Sequence, residues 1–353
     1  MLEISAEDLL KRPHFALLDV RAEVEFADGH IPGSVNFPIL TNQERHEVGI
    51  CYKEEGPSAA MALGYALVSP HKLERVAAWK AFLSEQSFPV LTCFRGGTRS
   101  EIARKWLHEV GMEAARVKGG YKAMRRVLAR EWDEPLRGYV LTGLTGADKT
   151  GFLRSLNMPR AIDLEEMAMH RGSAFGGLFQ PGPQPAQQTF ENRLSLALKR
   201  LRPSGELLFE DESRLVGRCV IPPVFFEKLK DLPRIYLEAS DEERAEHIHR
   251  IYVAAPLKAY PPEKVEQDLL GSIRSIRNKL GGLAAAEIEK DIREALADGD
   301  RDRHQRWILR LLREYYDGMY KHAMARHPSK PIFQGKADDC REWLKANTDL
   351  FKK

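Results

Sequence analysis

The chain has 353 residues, 43% hydrophobic and 30% charged, with a formal net charge of +3. That length predicts two or three globular domains, and a charge so near balance neither requires nor excludes nucleic acid. No apolar run is long enough to cross a membrane, no basic start and apolar core mark a signal peptide, and Cys51, Cys93, Cys219 and Cys340 form no CxxC pair. Neither a zinc site nor a disulfide framework is indicated, so a reducing cytoplasm is the expected setting.

Residues 1–130 alternate between strand and helix patterns. Phe15-Ala16-Leu17-Leu18-Asp19-Val20 reads as a strand, Val35-Asn36-Phe37-Pro38 as a short second one, and residues 72–83 as a helix. Pro89-Val90-Leu91-Thr92 is a buried strand that ends at Cys93. The loop Phe94-Arg95-Gly96-Gly97-Thr98-Arg99 follows, then a helix over 100–110 stopped by Gly111. Residues 113–117 are a last strand, and Gly119-Gly120-Tyr121 turns into a short helix. The class is α/β with a parallel sheet, and Cys93 sits at a strand's carboxyl end, where such folds place chemistry. Backbone amides of the loop and the arginines Arg95 and Arg99 favour a thiolate over a thiol and can hold an oxyanion. Cys93, Arg95 and Arg99 are therefore the candidate catalytic residues.

Residues 136–239 predict a second α/β domain. The strand Tyr139-Val140-Leu141-Thr142 runs into Gly143-Leu144-Thr145-Gly146-Ala147-Asp148-Lys149-Thr150 and a helix. That order is the one of a phosphate-binding loop, with Gly143, Thr145, Gly146, Lys149 and Thr150 placed to hold phosphate oxygens. Asp148 stands where the second glycine belongs, and its charge is expected to penalise a triphosphate more than a diphosphate. Leu207-Leu208-Phe209-Glu210-Asp211-Glu212 is an apolar strand ending in carboxylates. Thr150 and Asp211 are the candidate ligands of Mg²⁺; a solvated acidic loop is the competing explanation. Residues 180–188, rich in Pro, Gly and Gln, read as a flexible loop or lid, and Phe190-Glu191-Asn192 opens a helix.

Residues 240–353 predict a helical C-terminal region. Ser240 caps one helix, and Val265, Leu269, Ile273 and Ile276 stripe another that Gly281-Gly282 breaks. A helix over 302–322 carries Arg303, Arg306, Arg310, Arg313 and Lys321 among Trp307, Tyr315, Tyr316 and Tyr320. Basic and aromatic residues so interleaved can bind tRNA phosphates and stack bases, although an ordinary amphipathic helix has the same pattern.

The loop Cys93 to Ser100, with Leu17-Leu18-Asp19-Val20-Arg21, Glu25-Phe26 and Gly29-His30-Ile31-Pro32-Gly33, resembles rhodanese domains, which carry sulfur or selenium on the loop cysteine. The C-x5-R spacing is one residue longer than in simple sulfurtransferases and also occurs in rhodanese-like phosphatases, so loop length leaves both readings open. An insert over 44–69 departs from a minimal rhodanese. Joined to the phosphate loop, to His170-Arg171-Gly172-Ser173-Ala174-Phe175-Gly176 and to Glu210-Asp211-Glu212-Ser213-Arg214-Leu215-Val216-Gly217, this order of motifs resembles the tRNA 2-selenouridine synthase family. The resemblance implies a transferase that converts wobble 2-thiouridine to 2-selenouridine. It implies S-geranylation by geranyl diphosphate, then selenation from selenophosphate made by a partner enzyme, with Arg171 and Ser173 added to the phosphate site. No tightly bound cofactor is implied beyond Mg²⁺. The alternative is a rhodanese-like phosphatase or sulfurtransferase fused to a nucleotide-binding domain.

Overall fold

The computed structural model describes residues 2–320 and 331–351. It divides into two compact units, Met1–Glu134 with Ala186–Arg200, and Pro135–Pro185 with Leu201–Lys353.

The first unit is built on a five-stranded sheet in the order β1-β5-β4-β2-β3, formed by Glu3–Ile4 (β1), Leu17–Asp19 (β2), Ser34–Asn36 (β3), Val90–Thr92 (β4) and Ala115–Val117 (β5). Every pairing is parallel. Side chains alternate across a strand, so both faces of such a sheet must be covered. Leu18 and Leu91 face Trp79, Leu83, Trp106 and Leu107, while Leu17, Val90, Ala115 and Val117 face Leu9, Met124, Leu128 and Leu196. The insert is two helices, Asn42–Glu54 and Pro57–Val68, the first capped by Thr41 with Glu44.

Leu196 belongs to the helix Gln187–Leu201, which the sequence assigned to 136–239. Most of it packs in the first unit. Asn192 donates to His30 O at 2.7 Å, Arg125 pairs with Glu191 at 2.7 Å, and Lys199 with Glu7 at 2.8 Å. These partners lie 66 to 192 positions away, which no local pattern reveals.

The second unit has a five-stranded parallel sheet in the order β12-β11-β6-β8-β7, from Gly138–Thr142 (β6), Ala161–Ile162 (β7), Leu207–Glu210 (β8), Arg234–Leu237 (β11) and Phe333–Gly335 (β12). Leu215–Val216 (β9) and Cys219–Val220 (β10) form an antiparallel pair. Residues 240–353 are therefore not a separate helical region. β12 pairs with β11 through Ile235 and Phe333, and the helix Ala337–Asn347 puts Cys340 and Leu344 against Leu141 and Phe152. The expected stripe Val265, Leu269, Ile273 and Ile276 does form a core, with Ile288, Ile292, Trp307 and Ile308. The helix expected over 302–322 is α-helical over Arg301–Leu311, then makes a π-helical turn at Leu312–Tyr316 and stays helical through Tyr320. Lys321 and His322 lie outside the described residues.

Candidate functional site

Cys93 follows β4 directly, buried at 3% exposure. Its Sγ lies 3.2 Å from Ser100 Oγ, which donates to Gly97 O at 2.9 Å. Gly96 (φ +62) and Gly120 (φ +61) adopt the left-handed backbone that glycine permits. A Cβ on Gly120 would overlap Cys93 O and Gly96 N, and one on Gly96 would meet Val117 O at 2.6 Å. The turn at Gly119-Gly120 thereby lets Tyr121 N donate to Cys93 O and Lys122 N to Phe94 O, both at 2.9 Å. Two glycine turns fix the thiol loop.

Arg99 stands in the first turn of the helix Thr98–Glu109 that follows the thiol loop. It also donates to Glu25 at 2.5 and 3.1 Å. Burial works against charge on both partners. The pair outweighs it, holding Glu25 below the usual carboxylate range and Arg99 above its ordinary value. The buried Asp19–Arg21 pair (2.7 Å) anchors the same corner. Arg21 donates to Glu25 O and Gly29 O and lies over the Tyr121 ring. Arg95 is exposed and makes no ion pair among the described residues. The cationic cradle expected around Cys93 is thus split: Arg99 is anchored and Arg95 is free to meet a ligand.

The second site surrounds the loop 143–150. Asp148 takes the left-handed conformation that the missing glycine would adopt (φ 59, ψ 39). Its carboxylate accepts from Gly151 N at 3.1 Å, capping the helix Lys149–Ser155, and lies 3.3 Å from both His247 and Arg250. Burial raises the Asp148 carboxyl, but His247 and Arg250 bring it below the usual range. Its charge is met by the Arg250 guanidinium and by the His247 ring, which relieves the penalty expected from the sequence.

Lys149 is half-buried and donates to Gly143 O at 3.4 Å. Burial disfavours its charge, and Glu212, Glu210, Glu165 and Asp211 more than restore it. Thr150 Oγ1 lies 2.5 Å from Glu210 Oε1 and 3.0 Å from Glu165 Oε2. Glu165, Glu210 and Glu212 each bring a carboxylate oxygen within 4.8 Å of the others. Burial pushes all three up, helped by Asp163 at Glu165 and by the neighbouring glutamates at Glu210 and Glu212, the latter two rising well above the ordinary value. Glu210 Oε2 is buried with no hydrogen-bond partner.

Asp211, chosen from the sequence as a ligand beside Thr150, is turned elsewhere. It accepts from Thr142 at 2.5 Å and pairs with Arg234 at 2.8 Å. Alternate residues of an extended segment share a face, so Glu210 and Glu212 reach the site and Asp211 does not. Glu165 went unnoticed in the sequence. It arrives because β7 and β8 run parallel with Ile162 opposite Phe209, and the signal for it was a carboxylate just beyond a short strand.

The loop that carries Arg171 and Ser173 packs on this cluster: a Cβ on Gly172 would meet Glu212 Oε2 at 2.5 Å and Glu165 Oε1 at 3.3 Å. Arg171 donates to Leu178 O at 3.2 Å, and Ser173 Oγ accepts from Phe175 N. Lys149, Thr150, Arg171 and Ser173 are thus brought to the carboxyl end of the second sheet's central strands, together with the backbone of Gly143, Thr145 and Gly146. The loop expected to be a lid over 180–188 is tied down by Gln184, which donates to Ala168 O and Val216 O.

The four helix arginines are all engaged by carboxylates. Arg303 pairs with Glu294, Arg310 with Glu287 at 2.8 Å and Glu314 at 3.0 Å, and Arg313 with Asp241 at 2.7 Å. Arg306 has a 61% exposed side chain and, among the described residues, reaches only Asp300, at 3.9 Å. No helix among the described residues is long and apolar enough to cross a membrane.

Family models cover both units of the chain. A rhodanese-like domain model matches residues 4–126, and a model described as the tRNA 2-selenouridine synthase AAA domain matches residues 136–350. Proteins named tRNA 2-selenouridine synthase are similar along nearly the whole chain. The one from Alcanivorax borkumensis is 41% identical over 346 residues, 93% of this chain and 94% of its own. Those from Pseudomonas putida and Shewanella sediminis are 42% identical over 349 residues and 39% over 346. Together with the thiol loop and the phosphate loop, these matches make the chain a member of the tRNA 2-selenouridine synthase family of enzymes.

Proposed function

We propose that the protein converts 2-thiouridine at the wobble position of tRNA to 2-selenouridine in two steps. In the first, the thione sulfur takes the geranyl group of geranyl diphosphate, which turns a poor leaving group into a good one. In the second, the selenium of selenophosphate, supplied by a partner enzyme and held at the Cys93 loop, attacks C2 and expels the S-geranyl group as geranyl thiolate, and water then cleaves the Se–P bond to release phosphate. The observation that carries the reading is the buried Cys93 thiol, held by Ser100 in the loop that bears Arg95 and Arg99, in a chain of this family. Arg95 and the loop amides bind the selenophosphate oxyanion, and Ser100 holds the sulfur in place.

The first step uses the second unit. Lys149, Thr150, Arg171, Ser173 and the amides of loop 143–150 bind the diphosphate, without ATP turnover. The orphaned Glu210 Oε2 and the three crowded carboxylates fit a hard cation with oxygen ligands, so Mg²⁺ would be held by Thr150, Glu210 and Glu165, with Glu212 beside them. When bound it neutralises charge on the leaving diphosphate. Asp211 has the supporting role of fixing the strand end through Thr142 and Arg234. Arg306 is the helix arginine most available to a tRNA phosphate; Arg303, Arg310 and Arg313 would have to exchange their carboxylate partners for phosphates.

Nucleoside analysis of bulk tRNA tests the reading. Cells lacking the gene should lose 2-selenouridine and regain it with the wild-type gene. Persistence of 2-selenouridine in the deletion strain would refute it.

A further inference from the structure

The cations that RNA could use are unevenly available. Arg303, Arg310 and Arg313 are occupied by carboxylates. Residues 114–130, by contrast, carry Arg116, Lys118, Lys122, Arg125, Arg126 and Arg130 and not one Asp or Glu. Glu3 meets Arg116 and Lys118, and Glu191 meets Arg125. Lys122, Arg126 and Arg130 are exposed and enter no ion pair among the described residues.

The helix Gly120–Ala129 sets these three on one side. Tyr121, Met124 and Leu128 are buried in the core of the first unit, and Arg125 turns to Glu191 and Asn192. At about 100° per residue, positions 122, 126 and 130 fall away from that buried face, in a row with a step of about 6 Å. Arg130 caps the helix with helical backbone (φ -67, ψ -21) and so extends the row.

The row begins at the thiol loop. Tyr121 N donates to Cys93 O and Lys122 N to Phe94 O, and a Cβ on Gly120 would lie 2.9 Å from the carbonyl carbon of Arg95. The helix has no acid in its first turn, so the positive end of its dipole faces the loop undiminished. Exposed Arg95 is a fourth cation without an ion pair among the described residues, and residues 91–100 contain no acid.

An RNA backbone is the ligand that fits this surface. A base that reaches Cys93 brings its flanking phosphates past the rim of the loop. Cations free of carboxylates meet those phosphates without first breaking an ion pair. A protein partner would be expected to find an apolar centre, and this helix exposes no large apolar side chain.

We propose that Lys122, Arg126 and Arg130, continuing from Arg95, form the surface that docks the anticodon-loop backbone of the tRNA over Cys93. The proposal rests on the reading of the Cys93 loop as the selenation site. It is tested on the full chain with Lys122→Gln, Arg126→Gln and Arg130→Gln combined, beside the charge-conserving combination Lys122→Arg, Arg126→Lys and Arg130→Lys. The Kd of S-geranylated tRNA is measured over a range of salt, together with KM and kcat for its selenation by free selenophosphate. The glutamine variant should raise Kd and KM about tenfold or more at low salt, lower the salt slope by about two, and keep kcat within about threefold; the charge-conserving variant should stay within about threefold throughout. An unchanged Kd and slope in the glutamine variant would overturn the proposal. So would a charge-conserving variant as weak as the glutamine one, or a fall in kcat with Kd unchanged. A glutamine variant that binds tRNA normally but no longer accepts selenium from the partner enzyme would also overturn it, and would assign the row to an acidic protein. A wild-type protein whose tRNA affinity depends on the row, yet which never forms 2-selenouridine, would support the docking surface and refute the selenation reading beneath it.

Discussion

The loop after β4 and the loop after β6 are built alike: a short buried strand, a glycine-bearing turn, then a helix N-terminus. Their surroundings differ in sign. Cys93 has Arg99 beside it and an exposed Arg95, and the carboxylate nearby, Glu25, is spent on Arg99. Lys149 and Thr150 instead face Glu165, Glu210 and Glu212, none of which is paired to an arginine among the described residues. On the proposed function, the first loop would meet an anion with an unpaired cation, and the second would do so only when a cation offsets its carboxylates, as with a donor that arrives with a metal. The same backbone geometry would then serve two chemistries, and the side chains behind it would decide which.

The sharpest way to break the comparison is Gly120→Ala. The new Cβ would overlap backbone atoms of Cys93 and Gly96 in a left-handed residue, so neither can yield cheaply. A loss of about 3 kcal/mol or more is expected from such overpacking and strain, read by denaturant unfolding of the first unit. A near-neutral result would mean that the two glycine turns do not fix the thiol loop.

The carboxylate side is probed by Glu210→Gln in metal-free protein. The folded-state carboxyl is raised well above its ordinary value by burial and by Glu165. Its stabilising contribution is therefore full below the unfolded value, about pH 4.3, and is lost as pH rises through the folded one. Glutamine, fixed in the neutral form, should raise the melting temperature at neutral pH and make little difference near pH 4. The same gain with saturating Mg²⁺ present would argue against a cation site.

Asp148 offers a smaller test. Alanine there loses the cap and keeps an unfavourable left-handed backbone, together about 2 kcal/mol, while glycine restores the backbone and should cost under about 1 kcal/mol. Equal costs would show that the aspartate does not substitute for the glycine of the usual loop.

Smallest of all should be Arg306→Glu, which is expected to weaken tRNA binding slightly and lower the salt slope by about one if that arginine meets a phosphate. An unchanged slope would assign it to solvent.

What could be read from the sequence was whatever lies close along the chain. The thiol loop, the Asp19–Arg21 corner, the phosphate loop and the apolar stripe from Val265 to Ile276 each sit in one stretch with its own periodicity. The carboxylate cluster joins residues 45 and more positions apart, and the choice of Glu210 over Asp211 turns on which face of an extended segment points inward, a matter of register. The π-helical turn leaves no pattern, because the heptad-like spacing around Trp307 and Ile308 reads as continuous α-helix. β12 is three residues long and finds its place only through β11. The helix Gln187–Leu201 was recognised, but its partners were too distant to say which unit it joins.

The central claim is that the two loops perform separable steps, and one reconstitution tests it. Cys93→Ser and Lys149→Ala proteins are each given thiolated tRNA with geranyl diphosphate, or S-geranylated tRNA with selenophosphate, and the nucleosides are analysed by mass spectrometry. The account predicts that Cys93→Ser makes S-geranyl-2-thiouridine but no 2-selenouridine, while Lys149→Ala fails to geranylate yet selenates the supplied S-geranylated tRNA. Normal selenation by Cys93→Ser, or normal geranylation by Lys149→Ala, would contradict it.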